Sequence, residues 1–201
     1  ANTYNSTLTV TSNNGCEHSV TKPVTVYPKP VADFTFSDEC YGTPIPLNST
    51  SDGIGTNIIT TQWDYDGNTI IDDLGVSVNH SYGSYGVYNP VMIVTTEFNC
   101  KDTATHQVEV FEIPVPNFTW VNACEHDAVT FNNTSFVNTG NITDFDWNFD
   151  NGNTSIQENP SETYVAEGIY DVNLTITSNN GCTASINHDI EVYPTPTAFF
   201  I

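Results

Sequence analysis

The chain has no arginine and only three lysines, Lys22, Lys29 and Lys101, against 24 acidic residues, for a formal net charge of −21 over 201 residues. Nucleic-acid binding draws on basic side chains that displace counterions from phosphate. Anionic membrane surfaces are held by the same residues, so neither partner fits. No apolar run is long enough to cross a bilayer, and no direct membrane insertion is expected of this segment. Helix-period patterning is nearly absent. There is no Gly-x-Ser-x-Gly elbow, no His-Glu-x-x-His and no phosphate-cradling glycine loop. His18, His80, His106, His126 and His188 are scattered. The chain reads as a non-enzyme.

What is present is a repeat. Thr11-Ser12-Asn13-Asn14-Gly15-Cys16 returns as Glu97-Phe98-Asn99-Cys100 and as Thr177-Ser178-Asn179-Asn180-Gly181-Cys182, with steps of 100 − 16 = 84 and 182 − 100 = 82. Tyr27-Pro28-Lys29-Pro30 recurs as Phe111-Glu112-Ile113-Pro114 and Tyr193-Pro194-Thr195-Pro196. Trp63-Asp64-Tyr65-Asp66 recurs as Trp147-Asn148-Phe149-Asp150. A fixed period of this size marks a tandem array of one small module. Residues 1–30 match the last third of a repeat, 31–113 and 114–196 are full repeats, and 197–201 match the start of another. The chain is therefore expected to be a window on a longer polypeptide. His106 and His188 are repeat-equivalent, which marks a strand position more than a site.

Charged residues make up only 13% of the chain, and its polar surface is mostly Asn, Thr and Ser, as in exported β-proteins. The acidity fits solubility with self-repulsion between copies, or divalent-cation binding. Five cysteines in a small β-rich chain point to an oxidising compartment. Each full repeat holds one early cysteine (Cys40, Cys124) and one late cysteine (Cys100, Cys182). That arrangement predicts bridges Cys40–Cys100 and Cys124–Cys182, with the partner of Cys16 outside the chain.

Apolar and polar residues alternate in Tyr170-Asp171-Val172-Asn173-Leu174-Thr175-Ile176-Thr177, as on a half-buried strand. Asn-Gly and Asp-Gly turns separate such runs. About seven short strands per repeat predict a two-sheet sandwich. Trp63 and Trp147 are expected in its core. Pro28 and Pro30, Pro114 and Pro116, and Pro194 and Pro196 form short, stiff steps between repeats.

Trp147-Asn148-Phe149-Asp150-Asn151-Gly152-Asn153 resembles the Trp-Asp-Phe-Gly-Asp-Gly signature of PKD (polycystic kidney disease) domains. Asn159-Pro160, Tyr164, Gly168, Tyr170, Val172 and Leu174 follow that family's pattern through its last strands. Trp63-Asp64-Tyr65-Asp66-Gly67-Asn68, His80, Tyr82, Gly86 and Tyr88 form a weaker copy. That copy carries Pro90 inside a predicted strand, which must then be an edge or a bulge. The Asn-Gly-Cys turn followed by Tyr-Pro-x-Pro is similar to tandem PKD arrays of large secreted Bacteroidetes-type surface proteins, gliding adhesins among them. The resemblance implies an all-β fold of tandem immunoglobulin-like sandwiches and an extracellular or cell-surface spacer, adhesive or filament role. Tyr164, and Tyr82 by analogy, takes the place of a tyrosine-corner residue whose hydroxyl reaches upstream backbone.

Asp64, Asp66, Asn68, Asp72 and Asp73 are the candidate calcium ligands, since close Asp/Asn oxygens around a Gly turn suit that ion. The EF-hand spacing fails, however, and a solvated outer face is the competing reading. Asp33, Asp38 and Glu39 near the junction are a weaker acidic group. Asn48, Asn79, Asn133 and Asn141 head Asn-x-Ser/Thr triplets, and Thr103 lies in an Asp-Thr-Ala motif; these are candidate glycosylation sites. The function expected is a structural or adhesive array segment. Its partners would be neighbouring repeats of the same protein, identical chains in a filament, and surface glycans or proteins. The alternative is an accessory module that binds polysaccharide or protein for a secreted hydrolase.

Overall fold

In the computed structural model, which describes residues 1–200, every regular element is a strand. β1 (Asn2–Thr11) and β2 (Glu17–Val26) form a hairpin. Ten strands follow: β3 (Phe34–Phe36), β4 (Glu39–Cys40), β5 (Ile45–Ser49), β6 (Ile58–Asp64), β7 (Asp73–Leu74), β8 (Ser77–His80), β9 (Gly86–Tyr88), β10 (Val91–Thr96), β11 (Lys101–Thr105) and β12 (Val108–Phe111). The last seven are β13 (Phe118–Trp120), β14 (Ala128–Asn133), β15 (Ile142–Asn148), β16 (Thr154–Ser155), β17 (Ser161–Thr163), β18 (Gly168–Ser178) and β19 (Thr183–Val192). Of the expected next-repeat start at 197–201, residue 201 lies outside the described residues.

The strands gather into two compact units. One holds Ala1–Ser37, Pro44–His80 and Val87–Val108; the other holds Asp38–Thr43, Ser81–Gly86 and the chain from Glu109 onward.

In the first unit, the three-stranded sheet β3-β5-β8 supplies Phe34, Ile45, Leu47 and Val78 to a core. The four-stranded sheet β11-β10-β6-β7 supplies Trp63, Met92 and Val94. Phe34 meets the Trp63 ring edge-on, with centroids 5.0 Å apart. The second unit repeats the plan. β13-β14-β17 brings Phe118, Val129 and Phe131 against Trp147, Val172, Leu174, Ile176 and Ile190 of β16-β15-β18-β19. Here Phe118 meets Trp147 edge-on at 4.9 Å. Each such side chain, taken out of water, contributes about 1.5–3 kcal/mol. The alternation along β18 is as expected: Val172, Leu174 and Ile176 are buried, and the residues between them face outward.

Two departures from strict repetition have local causes. β18 runs unbroken for 11 residues, whereas its counterpart is split into β9 and β10. Pro90, buried in that gap, has no N–H to give a ladder, so it interrupts the strand and does not ride along an edge. The β1–β2 hairpin has the register of β18–β19, Asn2↔Val26 and Thr11↔Glu17 against Gly168↔Val192 and Thr177↔Thr183. Leu8, Val10, Val24 and Val26, which correspond to the buried Leu174, Ile176, Ile190 and Val192, are exposed, and among the described residues no second sheet is laid over this hairpin.

Candidate functional site

The acidic turn after β6 is built by carboxylates that bind main-chain amides. Asp64 lies within the core edge at 3% exposure, not on a solvated face. Its Oδ1 accepts the Gly67 N–H at 2.8 Å and its Oδ2 the Thr69 N–H at 2.7 Å. Burial pushes the Asp64 pKa up, but those donors outweigh it and hold the carboxyl below its ordinary value. Asp72 Oδ2 accepts the Tyr65 N–H at 2.7 Å. Both oxygens of Asp66 receive donors from Asn68, whose own Oδ1 accepts the Ile70 N–H.

Of the five candidate calcium ligands, Asp64, Asp66 and Asp72 come together, with one carboxylate oxygen each lying within 4.8 Å of the others. Asp73 is directed to the Tyr65 hydroxyl at 3.2 Å and the Leu74 N–H at 2.7 Å. Nearby, His80 stacks on Tyr65 at 3.8 Å, and burial lowers its pKa despite the charges of Asp72 and Asp73. The second repeat has no such turn: Asp146, Asn148 and Asp150 are exposed while Trp147 and Phe149 point inward. Of the junction acids, Asp33 binds His106 Nε2 at 2.7 Å, and Asp38 accepts the Glu109 N–H at 2.7 Å.

The cysteines depart from the expected pairing. The structure joins Cys40 to Cys182 across a separation of 142 residues. Cys16, Cys100 and Cys124 are free thiols. The bridges Cys40–Cys100 and Cys124–Cys182 are therefore not formed, and strand geometry explains why. Cys182 opens the turn into β19, while Cys124 bridges in parallel to Tyr193 just past that strand's other end. Eleven extended residues separate those ends, roughly 36 Å at the rise of a strand. A disulfide needs Cα atoms within about 7 Å. In the first repeat the closing segment is broken into β11 and β12; Cys40 pairs with Phe111 at the end of β12, and Cys100 precedes β11. Early and late cysteines of one repeat thus mark the two ends of its closing segment, a single strand in the second repeat and two in the first.

Both cysteine settings recur in detail. Each late cysteine follows a residue of positive φ, Gly15 (81°), Asn99 (62°) or Gly181 (80°), in a tight turn. Its N–H donates to a hydroxyl four residues back, on Ser12, Thr96 or Ser178, at 3.1–3.2 Å. Each early cysteine precedes a residue whose N–H closes on the end of the last strand: Tyr41 on the Phe111 carbonyl at 2.9 Å, Glu125 on the Tyr193 carbonyl at 2.8 Å.

Two linker contacts carry no signal in the repeat. Glu112 is buried and accepts the N–H groups of Asn138 and Thr139 at 3.0 and 2.9 Å, together with both their side chains. Burial raises its pKa, but these donors prevail and hold it below the usual range. Lys29 pairs with Asp102 at 2.5 Å, and the Ala32 N–H donates to the same carboxylate. Lys29 first, then Ala32, hold Asp102 down to about 2.

The Tyr164 hydroxyl donates to the upstream Phe149 carbonyl at 3.2 Å, the tyrosine-corner contact expected of it. Among the candidate glycosylation positions, Asn79, Asn141 and Thr103 are exposed, whereas Asn48 and Asn133 are half-buried. The Oδ1 atoms of Asn48 and Asn133 accept from Ser77 and Ser135.

The PKD domain family matches residues 27–110 and 112–192. A microbial collagenase of Vibrio alginolyticus is 33% identical over 67 residues, 33% of this chain and 8% of that protein. The pre-pro-metalloprotease PrtV of Vibrio cholerae is 38% identical over 71 residues, 35% of this chain and again 8% of that protein. This chain thus spans under a tenth of the length of either relative. Among solved structures, the PKD1 domain of Vibrio anguillarum Epp is 30% identical with a TM-score of 0.40, covering 41% of this chain and 96% of that domain. The PKD1 domain of PrtV is 34% identical with a TM-score of 0.38, covering 40% and 98%. PKD domains are non-catalytic modules. The chain belongs to the PKD domain family, of which it carries two tandem copies.

Proposed function

We propose that the chain is a structural segment of an extracellular, cell-surface array of PKD domains, serving as a stalk or as part of an adhesive filament. The observation that carries this reading is the Cys40–Cys182 bond, whose ends lie in the first and second family matches. A covalent tie between consecutive copies serves an array that bears load; an isolated binding module has no use for it. The third copy of the β18–β19 hairpin at β1–β2 supports the same view, as does an acidic surface that keeps neighbouring copies apart in solution. Its partners are neighbouring repeats, identical chains, and surface glycans or proteins.

The relatives favour a second reading. A collagenase and a metalloprotease carry the matching segments, so the chain would be an accessory module of a secreted hydrolase. Retention of the labelled chain on insoluble collagen, chitin and cellulose separates the two. A structural segment stays in the supernatant, and saturable retention on one of these solids transfers the assignment to the accessory role. Antibody against the chain should label intact source cells; labelling only after permeabilisation would overturn the surface location.

A further inference from the structure

Three cysteines remain as thiols, and their positions are not arbitrary. Cys124 occupies the setting of Cys40: each stands where the early part of a repeat lies parallel to the end of its closing strand, beside Tyr193 and Phe111 respectively. Cys100 occupies the setting of Cys182, in the same turn, with the same hydroxyl contact and with its carbonyl accepting the N–H of Thr96, as that of Cys182 accepts the N–H of Ser178. The structure shows what these two settings do when an early one is followed by the late one of the next copy: they bond, as Cys40 and Cys182 do within the second compact unit. The opposite-end placement of the two cysteines in one repeat excludes the internal alternative.

We propose that Cys124 and Cys100 are the open halves of the same staple, repeated along the array. Cys124 bonds the late cysteine of the copy that follows, and Cys100 bonds the early cysteine of the copy that precedes. Cys16, in the same turn and with the same Ser12 contact, is a further late half. Each copy is thereby stitched to both neighbours, by its early cysteine forward and by its late cysteine backward. The residues between Cys40 and Cys182 include the whole junction 111–117, so each staple closes a ring around one linker and the bodies beside it.

The chemistry is thiol–disulfide exchange. One thiolate attacks a disulfide donor, a protein or small-molecule disulfide of an oxidising compartment, to give a mixed disulfide. The second thiolate displaces the donor sulfur. Two thiols lose two electrons and two protons, and the donor leaves as two thiols. This inference rests on the array reading, because it requires further copies on either side.

The test is a fusion in which residues 1–196 are followed by residues 31–201 of a second copy, so that Pro196 leads into Val31 as Pro30 does. The second copy's Cys100 then follows Cys124 by the same 142 residues that separate Cys40 from Cys182. After oxidation by glutathione disulfide, alkylation and non-reducing peptide mapping, the expected bonds are Cys40–Cys182 in each copy and Cys124 of the first copy with Cys100 of the second. Cys124→Ser in the first copy should leave the second copy's Cys100 alkylated and the other two bonds intact. The Cys40–Cys182 peptides report that the fusion has folded. If they form while Cys124 and the second copy's Cys100 are alkylated, or if either bonds within its own repeat, the proposal fails. That failure leaves the array reading standing. A native gene encoding no further copies would sink the array reading instead, whatever the fusion shows.

Discussion

The Trp147 indole Nε1 donates to the Gln157 carbonyl at 2.9 Å, and Trp63 makes the matching bond to the Gly75 carbonyl at 2.8 Å. Both rings are fully buried, so each fills the core and also pins the segment that crosses over it. Trp147→Ala should cost about 3–5 kcal/mol, the range for deleting a buried aromatic. Tyr164→Phe, which removes only the hydroxyl bonded to Phe149, should cost about 1 kcal/mol. Urea denaturation followed by near-ultraviolet circular dichroism reads both. Equal losses would mean that Trp147 does not organise the core.

The Cys40–Cys182 bond encloses 142 residues, and the chain-entropy relation assigns such a loop about 5 kcal/mol of stabilisation. Reductant, or Cys40→Ser, should lower the urea midpoint accordingly. Under force, the intact bond shields the enclosed residues from extension. Reduction should add roughly 500 Å to the fully stretched length, at about 3.5 Å per residue. Identical contour lengths with and without reductant would mean the bond is absent from the folded chain.

Acid should weaken the fold through carboxylates held below their ordinary values. Glu112 has an unfolded reference of 4.5 and a lower folded value. Its contribution is therefore complete above pH 4.5 and is lost as pH falls through the folded value. Asp102 behaves alike between 3.8 and about 2, and Asp33 and Asp64 shift in the same direction. Stability should thus be flat through these groups above pH 5 and decline below it. Glu112→Gln should lower stability at pH 7 and shrink the acid-side slope. An unchanged slope would remove Glu112 from the linkage.

The sandwich was legible because burial imposes a period of two. The alternation along 170–177 and the inward Trp147 and Phe149 follow from that alone. The cysteine pairing was open to a wrong reading because repeat position orders residues along the chain but not along the strand axis. Only the length of β19 shows that Cys124 and Cys182 stand at opposite ends. Glu112 escaped notice for another reason. Pro28 and Pro194 occupy its place in the other copies, so comparing repeats hides a contact that one copy alone makes. A period of two would turn Asp64, the neighbour of the inward Trp63, toward solvent, whereas it is buried. The demands of the Gly67 and Thr69 amides turn it in.

That inward turn decides what the acidic loop does. Asp64 gives one oxygen to each of two main-chain donors, Asp66 spends both on Asn68, and Asp72 holds the Tyr65 amide. Calcium asks for six to eight oxygens, and five of the six oxygens of these three carboxylates already accept hydrogen bonds that shape the turn. Asp64→Asn should cost about 1–3 kcal/mol, because the buried side chain would then have one acceptor atom for two main-chain N–H groups. The melting temperature should be the same in millimolar calcium as in EDTA, for the wild type and the variant alike. A rise of several degrees in calcium that Asp64→Asn abolishes would show instead that the three carboxylates close on an ion.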